Sequence, residues 1–274
     1  MTVFLPRENI FFIEEWLKYH IAIGFTHFYL YNNMGSRWLD QNNNLEVTKM
    51  NKRGESIYGL LADKTDLEVQ QDLDRILEPF KKKGYITQVS WQPRDESGNI
   101  TYRQGPACID YVNKYSMDSD WVAFTDMDEF IFPLHHDNID QFIDNIENYG
   151  FTYVYLCQKC FASRFTKSNQ PVKEVLGIYK CSDLIITKLA TKAIVKANTL
   201  KHLAKDERFN IHIPSVCPEK SKFFFNTDII RFNHYKFNET EVDRAKTIFN
   251  IDLGLNTIDK DIMLFYSRLR VPDL

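Results

Sequence analysis

Trp121-Val122-Ala123-Phe124-Thr125-Asp126-Met127-Asp128-Glu129-Phe130-Ile131-Phe132-Pro133 is the stretch that decides how the rest of the chain is read. A short apolar run of strand-forming residues leads straight into three carboxylates, and an aromatic-rich run follows them. Carboxylates this close repel one another unless a cation sits between them. Oxygen donors of this kind suit Mg²⁺ or Mn²⁺. A solvated turn at the end of a strand is the plainer alternative, because acid-x-acid is common by chance. The apolar flanks on both sides favour the metal.

Working upstream, strand and helix patterns alternate. Val3 to Leu5 predicts a short strand. Asn9 to Ile23 has helical spacing, with Ile10, Ile13, Leu17 and Ile21 on one stripe, and Gly24 is placed to end it. Phe25 to Tyr31 is β-rich and runs into the turn composition Asn32-Asn33-Met34-Gly35-Ser36. Residues 37–64 read as an irregular loop, Asp66 to Lys83 as an amphipathic helix and Tyr85 to Trp91 as a strand. A polar loop over 92–101 and a helix from Tyr102 to Tyr115 complete the approach to Trp121. Repeated β-α units predict an α/β fold with an open, mostly parallel central sheet and helices on both faces. Ligands of such sheets sit at the carboxyl ends of the strands, which places Asn32-Asn33 and Asp126 on one rim.

Downstream the pattern loosens. Asn138 to Tyr149 predicts a helix, Phe151 to Cys157 a buried strand and Glu239 to Phe249 a late helix. Residues 158–235 mix loops with short apolar runs. No Pro/Gly/Ser linker divides the chain, so a single domain is expected.

Composition removes several function classes. A net charge of -3 provides no basic field for nucleic acid, and Lys81-Lys82-Lys83 reads as a solvated helix end. No stretch approaches the roughly 20 apolar residues of a membrane-spanning helix. The beginning of the chain lacks the basic-then-apolar pattern of a secretory signal. A cytoplasmic location is expected, at most at the inner face of a membrane. Arg268-Leu269-Arg270 offers thin support for peripheral contact with anionic lipid. Five cysteines leave one unpaired in any disulfide scheme. Cys157-Gln158-Lys159-Cys160 has metal-ligand spacing, and Cys181 and Cys217 could complete a zinc site, but ordinary core thiols are the simpler expectation.

Glu15-Trp16-Leu17-Lys18-Tyr19-His20 is by itself a helix with a core tryptophan. Three segments join it: Ile23-Gly24-Phe25-Thr26-His27-Phe28-Tyr29-Leu30-Tyr31-Asn32-Asn33, the cluster from Asp126 to Phe130, and Asn233-His234-Tyr235-Lys236-Phe237-Asn238-Glu239. Together they resemble the family 2-like and family 92 (DUF23-like) glycosyltransferases. Gln104, ahead of the helix that leads to the acidic strand, matches as well. The resemblance covers residues 3–33, 102–133 and roughly 230–250, and its specificity lies in the combination.

That resemblance implies a GT-A fold with a nucleotide-sugar-binding half over residues 1–133 and an acceptor-side half over residues 134–274, a nucleotide-sugar donor, and Mn²⁺ or Mg²⁺ at Asp126 and Asp128. It implies donor contacts at Leu5, Pro6, Arg7, Glu8, Asn33, Gln104, Asp126 and Met127. After Asn33 the family pattern continues with Ser then Asp, whereas Met34-Gly35-Ser36-Arg37 has no Asp. His234 is a candidate third metal ligand or diphosphate contact, with a packing histidine as the alternative. Lys192 and Lys196 are candidate donor-phosphate contacts. An inverting reaction needs a base for the acceptor hydroxyl. Glu129, Asp183 and Glu219 are the candidates carried forward, with Asp206 and Glu207 behind them, and sequence does not choose.

The expected activity is metal-dependent transfer from a UDP-linked sugar to a glycan or lipid-linked glycan, as in bacterial surface polysaccharide synthesis. Two rivals stand beside it. A sugar-phosphate nucleotidyltransferase would want a Gly-rich phosphate loop where Pro6-Arg7-Glu8-Asn9 stands. A non-catalytic carbohydrate-binding protein would have no need of intact acids at 126, 128 and 129. The haloacid-dehalogenase-like phosphatases also place Asp-x-Asp after an apolar strand, but Phe130 occupies the slot where they carry Thr or Val.

Overall fold

The computed structural model describes residues 1–36, 61, 63–166, 170–187, 191–201, 209–212, 214, 216, 220–237 and 239–270. Strands β1 (Thr2–Phe4), β2 (Phe28–Asn32) and β3 (Ile86–Ser90) form a parallel sheet in the order β1-β2-β3. Between β1 and β2 run α1 (Pro6–Asn9) and α2 (Ile13–Ala22). The helix expected over Asn9–Ile23 is therefore interrupted at its start. Asn9 donates its side-chain amide to Leu5 O at 3.0 Å, the local competition by which asparagine breaks helices. Gly24 ends the run at φ +106°, and a Cβ there would come within 3.2 Å of the Ile139 side chain. Helix α3 (Asp66–Lys82) starts at Thr65, which forms a reciprocal capping box with Glu68. Most of the loop expected over 37–64 lies outside the described residues.

Helix α4 (Gln104–Lys114) leads to β4 (Trp121–Phe124), and here the expected topology needs correction. A mostly parallel central sheet is not what forms. Strand β4 pairs antiparallel with β9 (Lys192–Lys196), β9 pairs antiparallel with β6 (Tyr153–Leu156), and β10 (Phe223–Phe224) joins β6 in parallel. Thr125 N donates to Met1 O at 3.3 Å, which sets the end of β4 beside the start of the parallel trio. A third sheet has the order β12-β8-β7-β11-β5. Its strands are β12 (Thr257–Ile258), β8 (Lys180–Ile186), β7 (Gln158–Ala162), β11 (Ile230–Phe237) and β5 (Glu129–Pro133). All of its pairings are antiparallel except β7 with β11.

The strands read as loops in 158–235 lack the alternation that marks a half-solvated strand. β11 is buried along almost its whole length, so apolar and polar residues alike face packed neighbours. Helices α5 (Ile139–Asn148, capped by Asn138), α6 (Glu239–Phe249) and α7 (Lys260–Arg268) complete seven α-helices among the described residues. None of these is long and apolar enough to cross a membrane. One apolar core joins α2, α3, α5 and β5 through Trp16, Leu17, Leu73, Phe130, Phe132 and Phe142. Cys108, Cys157, Cys160 and Cys181 are buried and free, and no group of described side chains containing a cysteine has metal-site geometry. Cys217 lies outside the described residues.

Candidate active site

The acidic residues occupy the tight connection between β4 and β5. Glu129 N donates to Asp126 O at 3.1 Å, and Asp126 N donates to a Glu129 carboxylate oxygen at 2.9 Å. The turn is thus closed on itself through the Glu129 side chain. Two strand registers then bring distant residues to it. Antiparallel pairing of β11 with β5 sets His234 opposite Glu129. Antiparallel pairing of β9 with β4 sets Ala193 opposite Phe124, so Lys192 falls beside the turn.

Lys192 is 1% exposed at its side chain and lies 2.7 Å from Asp126 Oδ2 and 3.2 Å from Glu129 Oε2. Gln104, on the first turn of α4, donates to Asp126 Oδ1 at 2.6 Å. The residue ahead of it, Arg103, has φ +39°, a left-handed conformation costly for a side chain of this size. Asp126 is thereby held through both oxygens.

Asp128 and His234 meet on the other side. His234 Nε2 is 3.2 Å from Asp128 Oδ2, and Nδ1 is 3.0 Å from Gln158 Oε1. Gln158 is oriented by its own Nε2, which donates to Cys160 Sγ at 3.0 Å. An amide oxygen only accepts, so Nδ1 carries the proton. Burial, then Lys236, lowers His234 to about 4, which leaves the imidazole neutral near pH 7. Its Nε2 lone pair therefore faces a carboxylate oxygen. That arrangement is repulsive without a cation between them.

The local charge points the same way. Three carboxyl groups crowd a buried turn in which Lys192 is the cation in contact with Asp126 and Glu129. Burial opposes the charge of Asp126, but Lys192 outweighs it and holds the carboxyl below its usual range. Burial likewise opposes Asp128; a protonated His234 would hold it low, and with His234 neutral Arg164 and Lys236 remain to do so. Glu129 gives way: burial pushes it up to about 8, with Asp126 and Asp128 adding to the rise against Lys192. Asp128, Glu129 and His234 each offer one ligand atom, all within 4.8 Å of one another. Two carboxylates and a neutral imidazole are a suitable donor set for a divalent ion.

A cavity of about 200 Å³ opens over this cluster. Its walls include Leu5, Glu8, Asn9 and Tyr102 on one side and Arg164, His234 and Lys236 on the other, with Asp126, Met127 and Asp128 between. Arg164 is buried and bridges the two sides. It donates to Met127 O and Asn9 Oδ1, each at 3.0 Å, and lies 3.5 Å from a Glu8 oxygen. The cavity therefore draws on the chain before and after residue 133.

Of the residues predicted to meet the donor, Leu5, Glu8, Gln104, Asp126 and Met127 line this cavity. Pro6 is the buried first residue of α1. Arg7 does not reach the cavity. Its guanidinium donates to Asp66 Oδ1, Leu61 O and Lys64 O at 2.7, 2.8 and 2.7 Å, tying α1 to the start of α3. Asn33 donates to Trp91 O and Thr101 O, and its buried Oδ1 has no partner among the described residues. Lys192, expected at donor phosphates, is instead enclosed by carboxylates. Lys196 pairs with Glu147 at 2.8 Å.

Asp183 is exposed on β8, accepts a hydrogen bond from Thr257 and does not line the cavity. His212 bonds Thr191 O at 2.8 Å, also off the cavity lining. Glu219, Asp206 and Glu207 lie outside the described residues. Sequence reading missed Arg164 and Asn9 as cavity residues and gave Lys236 no role. Arg164 stands in no motif. Lys236 reaches the cavity at a register shift between Tyr235 and Phe237, which strand alternation does not foretell.

An α/β protein with a buried acid cluster, a neutral histidine and two cations around one cavity is suited to holding a metal and a polyanionic ligand. A family model for glycosyltransferase family 92 matches residues 65–262. The chain belongs to glycosyltransferase family 92, and the matched span contains the acid cluster, Arg164, Lys192, His234 and Lys236. No curated protein matches the chain.

Proposed function

We propose that this glycosyltransferase moves a sugar from a UDP-linked donor to a hydroxyl of a glycan or lipid-linked glycan, on a GT-A-type frame, with Mn²⁺ or Mg²⁺ at the acid cluster. The observation that carries the reading is the neutral His234 whose Nε2 lone pair faces Asp128, 3.2 Å away, beside Glu129. Asp128, Glu129 and His234 would hold the ion, and Asp126 would stand next to it in the grip of Lys192 and Gln104. Such an ion supplies charge neutralisation for a diphosphate leaving group.

The chain's own residues provide the rest. Lys236 lines the same cavity as Asp128 and can take a phosphate oxygen as a point charge. Arg164 holds the turn at Met127 against Asn9, which keeps the two cavity walls in register. Glu8, Asn9 and Tyr102 form the wall on which base and ribose would rest. Glu129 is enclosed by Lys192 and the Asp126 backbone, which suits a ligand better than a base for the acceptor.

Titrating UDP by calorimetry in the presence of Mn²⁺ and of EDTA tests this. Binding that needs Mn²⁺, and that falls at least about tenfold in Asp128→Asn, is the expected result. Metal-independent UDP binding, or none at all, would overturn it.

A further inference from the structure

Lys192, a predicted donor contact, is enclosed within the acid cluster instead. Its ammonium is 1% exposed, lies against two carboxylates and is absent from the cavity lining. Strand pairing fixes it there: Leu156 of β6 lies opposite it, and the next residue along β9 is paired to Phe124 at the end of β4. A buried lysine costs several kcal/mol of desolvation unless its partners repay it. Here both partners belong to the acid cluster.

We propose that Lys192 is a built-in counter-ion for the acid cluster, one that keeps the turn folded without metal and withholds Asp126 from the metal's donor set. The charges support this assignment. Lys192 is the cation in contact with both Asp126, at 2.7 Å, and Glu129, at 3.2 Å. Without it those two carboxyl groups would share a buried turn with no ammonium between them. Asp126 also has both oxygens engaged, by Lys192 at 2.7 Å and Gln104 at 2.6 Å, whereas Asp128, Glu129 and His234 converge within 4.8 Å. Lys192 is thus a positioning residue: it acts through Asp126 and Glu129 and touches no substrate.

The test is thermal melting of the full chain in EDTA and in Mn²⁺, for wild type, Lys192→Met and the double variant Lys192→Met/Asp126→Asn. Lys192→Met in EDTA should melt about 10 °C below wild type, because a buried charge cluster loses its partner. Mn²⁺ should raise its melting temperature by more than it raises that of wild type, since the ion then meets a more negative site. The double variant restores the original charge balance, so in EDTA it should recover most of the loss. It also provides the reading if Lys192→Met alone does not fold.

Equal melting of wild type and Lys192→Met in EDTA overturns the counter-ion. So does a double variant no better than Lys192→Met, which would mean that the lysine stem, not its charge, matters. The Mn²⁺ arm rests on the metal reading above. A wild type indifferent to Mn²⁺ overturns that reading, while the EDTA comparison still decides the counter-ion.

Discussion

Lys236 is the cation in the cavity with the clearest opening to a ligand. Lys192 is enclosed by carboxylates, and Arg164 is engaged with Met127 O, Asn9 Oδ1 and Glu8. The lysine lines the same cavity as His234, and its charge acts on Asp128 and on that histidine. Replacing Lys236 with Met should weaken UDP binding about tenfold, since a charge-assisted hydrogen bond contributes about 1.5–3 kcal/mol. Mn²⁺ affinity should fall little or rise slightly, because a positive neighbour of the site is lost. Parallel titrations of Mn²⁺ and of Mn²⁺-UDP check this, and a variant that binds UDP like the parent would remove Lys236 from the donor site. Asp128 was legible as a candidate from the acid cluster, and His234 from the family resemblance. Their pairing was not, because a single sequence does not say which nitrogen of a histidine faces which acid.

Helix α2 explains much of what the N-terminal motif is for. Trp16 Nε1 donates to Glu129 O at 2.9 Å and Tyr19 OH donates to Ile131 O at 2.6 Å, so two side chains of one helix face hold the backbone of β5. Glu15 points the other way. Its two oxygens accept from Val175 N and Leu176 N at 2.8 Å each, anchoring the segment ahead of β8. Read from sequence, Glu15-Trp16-x-x-Tyr19-His20 is an amphipathic helix. Read from the structure, it is the support that keeps the first residue of β5 still. Glu15→Ala leaves two backbone N–H groups without their acceptor. It should cost about 1–3 kcal/mol in urea unfolding, with Mn²⁺ affinity preserved because the Trp16 and Tyr19 contacts remain. A variant with unchanged stability would show the anchor to be dispensable. The caps of α3 and α5 were equally local and equally legible, at Thr65 and Asn138. The strand Ile230–Phe237 was not, because near-complete burial erases the alternation by which a strand is read.

For the molecule as a whole, buried histidines set the response to acid. His20 is packed between Trp16 and Phe130; Nδ1 donates to Trp16 O at 2.8 Å, and Nε2 accepts from Ile131 N at 3.4 Å. Burial lowers it to about 3, so the folded protein holds it neutral. The unfolded chain protonates it near 6.5. Its contribution is therefore complete above pH 6.5 and is lost progressively as pH falls from there toward 3. In metal-free protein His234 adds the same sign of dependence over a narrower range. Between about pH 4.5 and 8 the raised Glu129 acts in the opposite sense, so urea unfolding in EDTA should show the histidine slope, up to about 1.4 kcal/mol per pH unit for each, in full only below about pH 4.5. His20→Phe should flatten that slope by about one histidine's share. An identical slope in the variant would assign the acid sensitivity elsewhere.

What the chain alone determined is what short-range chemistry determines: where helices start and stop, and that an apolar strand runs into Asp126-Met127-Asp128-Glu129. It also carried enough scattered motif to indicate the family. Tertiary structure decided which partners those acids keep. The β11–β5 register brings His234 to Glu129, the β9–β4 register brings Lys192 to Asp126, and Arg164 crosses to Asn9. The same pairings made the sheets mixed where β-α alternation had predicted a mostly parallel one. The physical reason is common to all of them. Helix caps and turns are set by neighbours within a few residues, whereas strand partners and buried ion pairs form between segments far apart in the chain, and no local periodicity records which two will meet.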